Sequence, residues 1–207
     1  MLTLDRNLLH RFGLLLVILF VGLALSLLTD TFLSVANFTN VARQISINGI
    51  LAVGVTFVLL TGGVDLSLGS VVALSGVACA TFAHPGDHSV FVPIAVGLLT
   101  GAACGLVNGT LVTLGGVAPF IVTLGMMTIA RGLALIFSGG RPVADMSNEL
   151  TALAGDFFGI PIPMLCFAGV AAAAWFFLSN FRLGRHIYAV GGNENAARAA
   201  GVPVEQV

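Results

Sequence analysis

The chain has 207 residues, of which 57% are hydrophobic and only 8% charged, with a formal net charge of -1. A water-soluble domain carries roughly a quarter of its residues charged, so a soluble globule is excluded, and lipid is the solvent that accepts this composition. All eight basic residues are arginine and no basic run occurs, which leaves nothing to neutralise a nucleic-acid backbone.

Six apolar runs approach the ~20 residues that a bilayer helix needs. In chain order they are Phe12–Leu28, Ile45–Thr61, Leu66–Ala83, Val90–Val107, Val117–Phe137 and Ile162–Ser179. The first is too long and lacks a small-residue exit, so it reads as a span rather than a cleaved signal. "GGVD" alone separates the second and third, which predicts a tight hairpin. "HPGDH" turns the chain between the third and fourth, and the longest loop, "SGGRPVADMSNELTALAGDFFGIP", lies between the fifth and sixth. The fold class is therefore an all-α polytopic bundle forming a single membrane domain over residues 1–207.

Arginine sets the orientation. With both termini inside, Arg6, Arg11, Arg182, Arg185 and Arg198 are cytoplasmic and Arg43 and Arg141 face out, as the positive-inside rule requires. Trp175 and Tyr188 flank the last inner boundary. Arg131 lies about two turns from the outer end of its span, near enough to snorkel. Cys79, Cys104 and Cys166 sit in apolar runs without CxxC spacing and read as small buried hydrophobes, not metal or disulfide partners.

Gly97, Gly101, Gly105 and Gly109 recur every four residues, a ridge that lets a neighbouring helix approach closely. Gly69, Ala73 and Gly76 repeat the pattern on the third run. Asn48 reads as a bridge between helices or a path-lining group, and Asn108 falls at a span boundary. The sharpest stretch is "LLTGGVDLSLGSVVALSGV". An ionised carboxylate near hydrocarbon costs several kcal/mol unless satisfied, so Asp65 needs a reason to be there. One reason is a cap on the third helix, accepting the amide of Ser67 or Leu68, with Gly62 and Gly63 forming the turn. The other is a broken helix beside a translocation path.

No P-loop can be completed without lysine, and no HExxH, GxSxG or carboxylate–histidine cluster occurs. No catalytic residue, metal or cofactor is expected, and ATP, if used, is hydrolysed on another polypeptide. The end of the chain specifies a short helix. Asn193 or Asn195 serves as N-cap, Glu194 suits the dipole, Ala196, Ala197, Ala199 and Ala200 build the turns, and Gly201 and Pro203 stop them. Such a piece is unstable alone. It is either a knob for an external motor or a passive loop.

"TGGVDLSLGS", "GGVAPFIVTLGMMTIARGLALIFSGGRPV" and "LGRHIYAVGGNENAARAAGV" together resemble the permease subunit of bacterial ribose-type ABC sugar importers, from roughly Phe32 onward. The resemblance implies a multi-pass inner-membrane subunit that pairs with a second copy, a cytoplasmic ATPase and a periplasmic sugar-binding protein. It places Asn48, Gly62, Gly63, Asp65, Ser67, Gly69 and Phe120 by the translocation path. Residues 180–207 become the coupling segment, with Gly191, Gly192, Asn193, Glu194, Ala196, Ala197, Ala200 and Gly201 docking the ATPase. Family members continue through about four more helices, so a truncated product or fragment is the expectation here. An ion-coupled carrier using Asp65, with Arg131 as counter-charge, and a non-transporting fragment are the competing readings.

Overall fold

The structure is a computed structural model that describes residues 6–86 and 88–206. The side chains of Arg6 and Arg11, and Asp87 in the "HPGDH" turn, lie outside the described residues. The chain divides into two compact units, Met1–Ile45 and Ser46–Val207.

In the first unit, α1 covers Arg6–Leu28 and is followed by a short turn leading into α2, Val35–Leu60. Ser34 Oγ accepts the Asn37 amide at 3.2 Å, and Asn37 Nδ2 donates to the Phe32 carbonyl at 2.8 Å. This capping starts α2 at Val35, well before the expected Ile45, because an N-cap sets a helix start regardless of hydropathy. The division between units falls within α2.

In the second unit, the remainder of α2 is followed by α3 (Leu68–Thr81), α4 (Phe91–Thr113) and α5 (Pro119–Ser138). The long loop holds α6 (Asn148–Ala152) and a two-stranded antiparallel ladder, β1 (Asp156–Phe157) with β2 (Ile160–Pro161). Next come α7 (Ile162–Asn180), α8 (Arg182–Gly192), α9 (Glu194–Ala199) and a 3₁₀ turn at Val204–Gln206. Proline at the first turn of α5 and of α7 fits, because the amide it lacks would have no partner there.

Among the described residues, α2, α4, α5 and α7 are long and apolar enough to cross a bilayer. The third expected span is corrected: α3 has 14 residues, about 21 Å at ~1.5 Å per residue, against a hydrocarbon core of about 30 Å. Residues 63–65, expected in the tight hairpin, and Leu66 and Ser67, expected in the third span, are non-helical chain leading into α3.

The core of this unit lies where α3 packs on α4 and α5. Leu74, Ala130 and Ala134 are buried, with Val71, Val77, Cys104 and Met126 around them. The glycine ridge of α4 is used over half its length. A Cβ on Gly97 would sit 3.2 Å from Cys79 Cβ, and one on Gly101 3.3 Å from Ser75 Oγ, whereas Gly105 and Gly109 face open space. At the level of Gly109 the neighbouring chain is no longer helical: Asn108 pairs there with Ser67, at the end of the non-helical segment. Gly69 and Gly76 likewise make no close approach.

The C-terminal half of α2 packs on α7. The Phe57 and Phe177 rings meet tilted at 46° with centroids 6.0 Å apart, and a Cβ on Gly49 would fall 2.6 Å from Phe167 Cε2. At the other end of α3, the Ser147 amide donates to the Ala83 carbonyl at 2.7 Å, tying the long loop to the helix end. Large apolar side chains stay exposed along α4, α5 and α7, including Leu98, Leu106, Ile136 and Trp175. Water would not tolerate so continuous an apolar surface; lipid does. Cys166, expected buried, is exposed on α7, and Arg131 is exposed on α5.

Candidate functional site

The interruption before α3 gathers the polar groups of the membrane interior. Gly62 takes φ +81, a backbone angle that favours glycine, and turns the chain out of α2. Gly63 has an ordinary φ, and its Cα faces Val58, where a Cβ would lie 3.1 Å from Cγ1. Half-buried Asp65 then folds back on the chain. Its Oδ1 accepts the Ser67 amide at 2.7 Å and the Ser67 hydroxyl at 2.6 Å. The bond to the Ser67 amide is the one expected of Asp65, made as an Asx-turn two residues ahead of the N-cap position rather than from it. The N-cap residue is Ser67, and its side chain bonds no helix amide; its hydroxyl donates to Asp65 and its oxygen accepts from Asn108 instead.

Two neighbouring helices lock this segment in place. Asn108 Nδ2, on α4, donates to Ser67 Oγ at 3.1 Å. Thr123 Oγ1, on α5, lies 3.4 Å from the Val64 carbonyl while bonding the Pro119 carbonyl at 2.8 Å. Ser67 is 1% exposed, Thr123 4% and Asn108 8%, so the network is sealed within the protein. Asn108 Oδ1 is buried without a hydrogen-bond partner among the described residues, a free acceptor beside the interruption. Non-helical backbone at membrane depth is tolerated only when protein buries it or it borders a cavity.

Of the residues expected by the path, Gly62, Gly63, Asp65 and Ser67 therefore come together. Gly69 lies in the first turn of α3 without close neighbours. Asn48 is exposed on α2, and the bridging role expected of it belongs to Asn108. Phe120, in the first turn of α5, is 57% exposed. Sequence reasoning missed Asn108 and Thr123 as members of this cluster; the available signal was an amide within a glycine-rich apolar run.

The second cluster lies past α7. Helix α8 was not anticipated, although Gly184, Ile187 and Val190, its buried residues, stand three apart. Asn193 ends α8 and caps α9, accepting the Ala196 amide at 3.0 Å. Gly201, at φ +83, closes α9, and the Val202 amide reaches back to the Ala197 carbonyl at 3.0 Å. Ala197 is 5% exposed, so its methyl is covered by this chain, while Glu194, Ala196, Arg198, Ala199 and Ala200 are exposed. Arg198 bonds Glu194 at 3.2 Å and also bonds Glu205, strapping the 3₁₀ turn to α9. The hydrogen bond to Glu205 holds the guanidinium above its ordinary pKa, and the same bond holds the Glu205 carboxyl below its own. Gly191 faces the end of α2 and Gly192 faces open space.

Fold and site together define a multi-pass helical membrane protein with a helix interrupted at a buried polar cluster. Residues 37–207 match the family described as branched-chain amino acid transport system / permease component, and the chain belongs to that family. It is 41% identical over 187 residues to the ribose import permease protein RbsC of Escherichia coli K12, covering 88% of this chain and 58% of that protein. It is 39% identical over 202 residues to the L-arabinose ABC transporter permease protein AraH of Azospirillum brasilense, covering 97% and 59%. To the D-allose transport system permease protein AlsC of Escherichia coli K12 it is 38% identical over 181 residues, covering 87% and 56%. The chain thus spans somewhat over half the length of these relatives. No solved structure matches it.

Proposed function

We propose that this chain forms part of the permease of an ABC-type importer for a ribose-like monosaccharide, in a bacterial inner membrane. The interrupted entry to α3 borders the translocation path, and the α8–α9 segment docks a separate cytoplasmic ATPase. The observation that carries the reading is the non-helical stretch at residues 63–67, ending on the buried Ser67, tied to α4 by Asn108 and approached by Thr123 of α5. A simple structural span has no use for such a break, whereas a transport path uses it to keep polar groups at membrane depth. The relatives' names as ribose, arabinose and allose permeases support the substrate class. A periplasmic sugar-binding protein and a second permease copy complete the proposed assembly. The arginines Arg182, Arg185 and Arg198 support a cytoplasmic side for α8 and α9.

The exposed edge of α9 carries Ala199, small enough for a close fit, whereas Ala197 is already covered. The test uses the full-length permease reconstituted with ATPase and sugar-binding protein. Ribose uptake is expected to require ATP. Ala199→Arg is expected to lower both ATPase co-purification and uptake at unchanged protein levels, through a steric clash or unpaired charge in the dock. Uptake driven by a proton gradient without ATP would overturn the ABC reading, and normal ATPase binding in Ala199→Arg would overturn the dock.

A further inference from the structure

The end of α8 touches the rest of the protein at a contact between backbones. A Cβ built on Gly191 would overlap the Leu60 carbonyl oxygen, lie 2.9 Å from its carbonyl carbon and 3.7 Å from Thr61 Cα. Both of those neighbours are main chain, so no rotamer change makes room. Leu60 is the last residue of α2, where helix carbonyls lack intrahelical partners. A glycine Cα–H against such an oxygen is a weak favourable contact as well as a close one. Gly192, the next residue, has nothing within 4 Å of a Cβ.

What lies on either side of this contact gives it meaning. Two residues after Gly191, Asn193 caps α9. Two residues after Leu60, Gly62 turns the chain into the interruption, and Asp65 and Ser67 follow. Of the segments joining α9 to the interrupted helix, this path is short and made of backbone, which has little slack.

We propose that Gly191 is a positioning residue: its backbone seat on Leu60 is the joint through which displacement of α9 reaches the interrupted segment at residues 62–67. Gly191 therefore faces its own chain rather than an ATPase. The inference rests on the proposed ATPase dock, and it goes beyond that dock by naming where the motion enters the membrane domain.

The test is hydrogen–deuterium exchange on the full-length permease with its ATPase, with and without nucleotide. Peptides covering 190–200 and 58–68 are expected to change protection together in the parent protein. In Gly191→Ala the change at 190–200 persists while that at 58–68 falls at least several-fold, and sugar transported per ATP hydrolysed falls with it. In Gly192→Ala both changes remain, as open space there requires. A parent protein that responds at 190–200 but never at 58–68 overturns the joint, and this arm needs no variant to fold. An undiminished response at 58–68 in Gly191→Ala overturns it equally. Absence of any response at 190–200 in the parent overturns the dock, and the joint falls with it.

Discussion

Replacing Ser67 with alanine is expected to cost the protein clearly more than replacing its partner Asn108 with alanine. The Ser67 hydroxyl donates to Asp65 Oδ1 at 2.6 Å and accepts from Asn108 Nδ2 at 3.1 Å. A hydrogen bond to a charged group contributes about 1.5–3 kcal/mol net. Losing it leaves the Asp65 carboxylate with the Ser67 amide as its remaining hydrogen-bond donor among the described residues. The Asn108 amide is 8% exposed, and stranding its donor adds about 1 kcal/mol or more. The total for Ser67→Ala is about 2–4 kcal/mol on these terms.

Asn108→Ala should be much milder. It removes a neutral interhelical bond, a class that averages about 0.6 kcal/mol in membranes, and it also removes the unpartnered Oδ1. The expected cost is about 1 kcal/mol, mostly lost packing. Because both changes break the same bond, the double variant should lie close to Ser67→Ala alone, a coupling of about 1 kcal/mol. Reversible unfolding of the purified chain in mixed micelles, titrated with sodium dodecyl sulfate, measures all three. If Asn108→Ala costs as much as Ser67→Ala, or the two singles simply add, the hydrogen-bond chain is not what holds the interruption.

Three further outcomes are expected. With native cysteines removed, a cysteine at Asn148 should react with an impermeant thiol reagent from outside intact cells and one at Asn195 should not; the reverse labelling would overturn the orientation. Asp65→Asn keeps an oxygen for the Ser67 amide, so the full-length permease should retain much of its uptake, while Asp65→Leu should lose folded protein; abolished uptake with normal expression in Asp65→Asn would instead mean that the charge itself is used. Glu205 has a lowered folded-state pKa, so its strap to Arg198 is fully present above the ordinary carboxylate range near pH 4.3 and is lost as pH falls through the lower folded value. Protection of the Val202, Val204 and Glu205 amides, taken relative to their intrinsic exchange rates, should therefore fall in acid, and also at high salt because the pair is exposed; protection indifferent to both would remove the strap.

Properties that depend on runs and near neighbours were legible without coordinates. Lipid as solvent follows from composition, and the spans that became α4, α5 and α7 follow from the length of apolar runs, because bilayer thickness is a one-dimensional constraint. The α9 cap at Asn193 and its stop at Gly201 were equally readable, since a cap involves residues three or four apart. Helix α8 was readable too, from Gly184, Ile187 and Val190, but its spacing was overlooked beside the alanines that follow. Tertiary structure decided the rest. Local pattern put residues 63–65 in a tight turn and Leu66 and Ser67 in a span, and only the partners Asn108 and Thr123, 41 and 59 positions along the chain from Ser67 and Val64, make a non-helical path cheaper than an earlier helix start. The same holds for Ala197, whose covering depends on how α9 lies, and for Gly191, where the reason for glycine is a carbonyl more than a hundred positions away. Contacts of that separation are set by how helices pack, which no local pattern encodes.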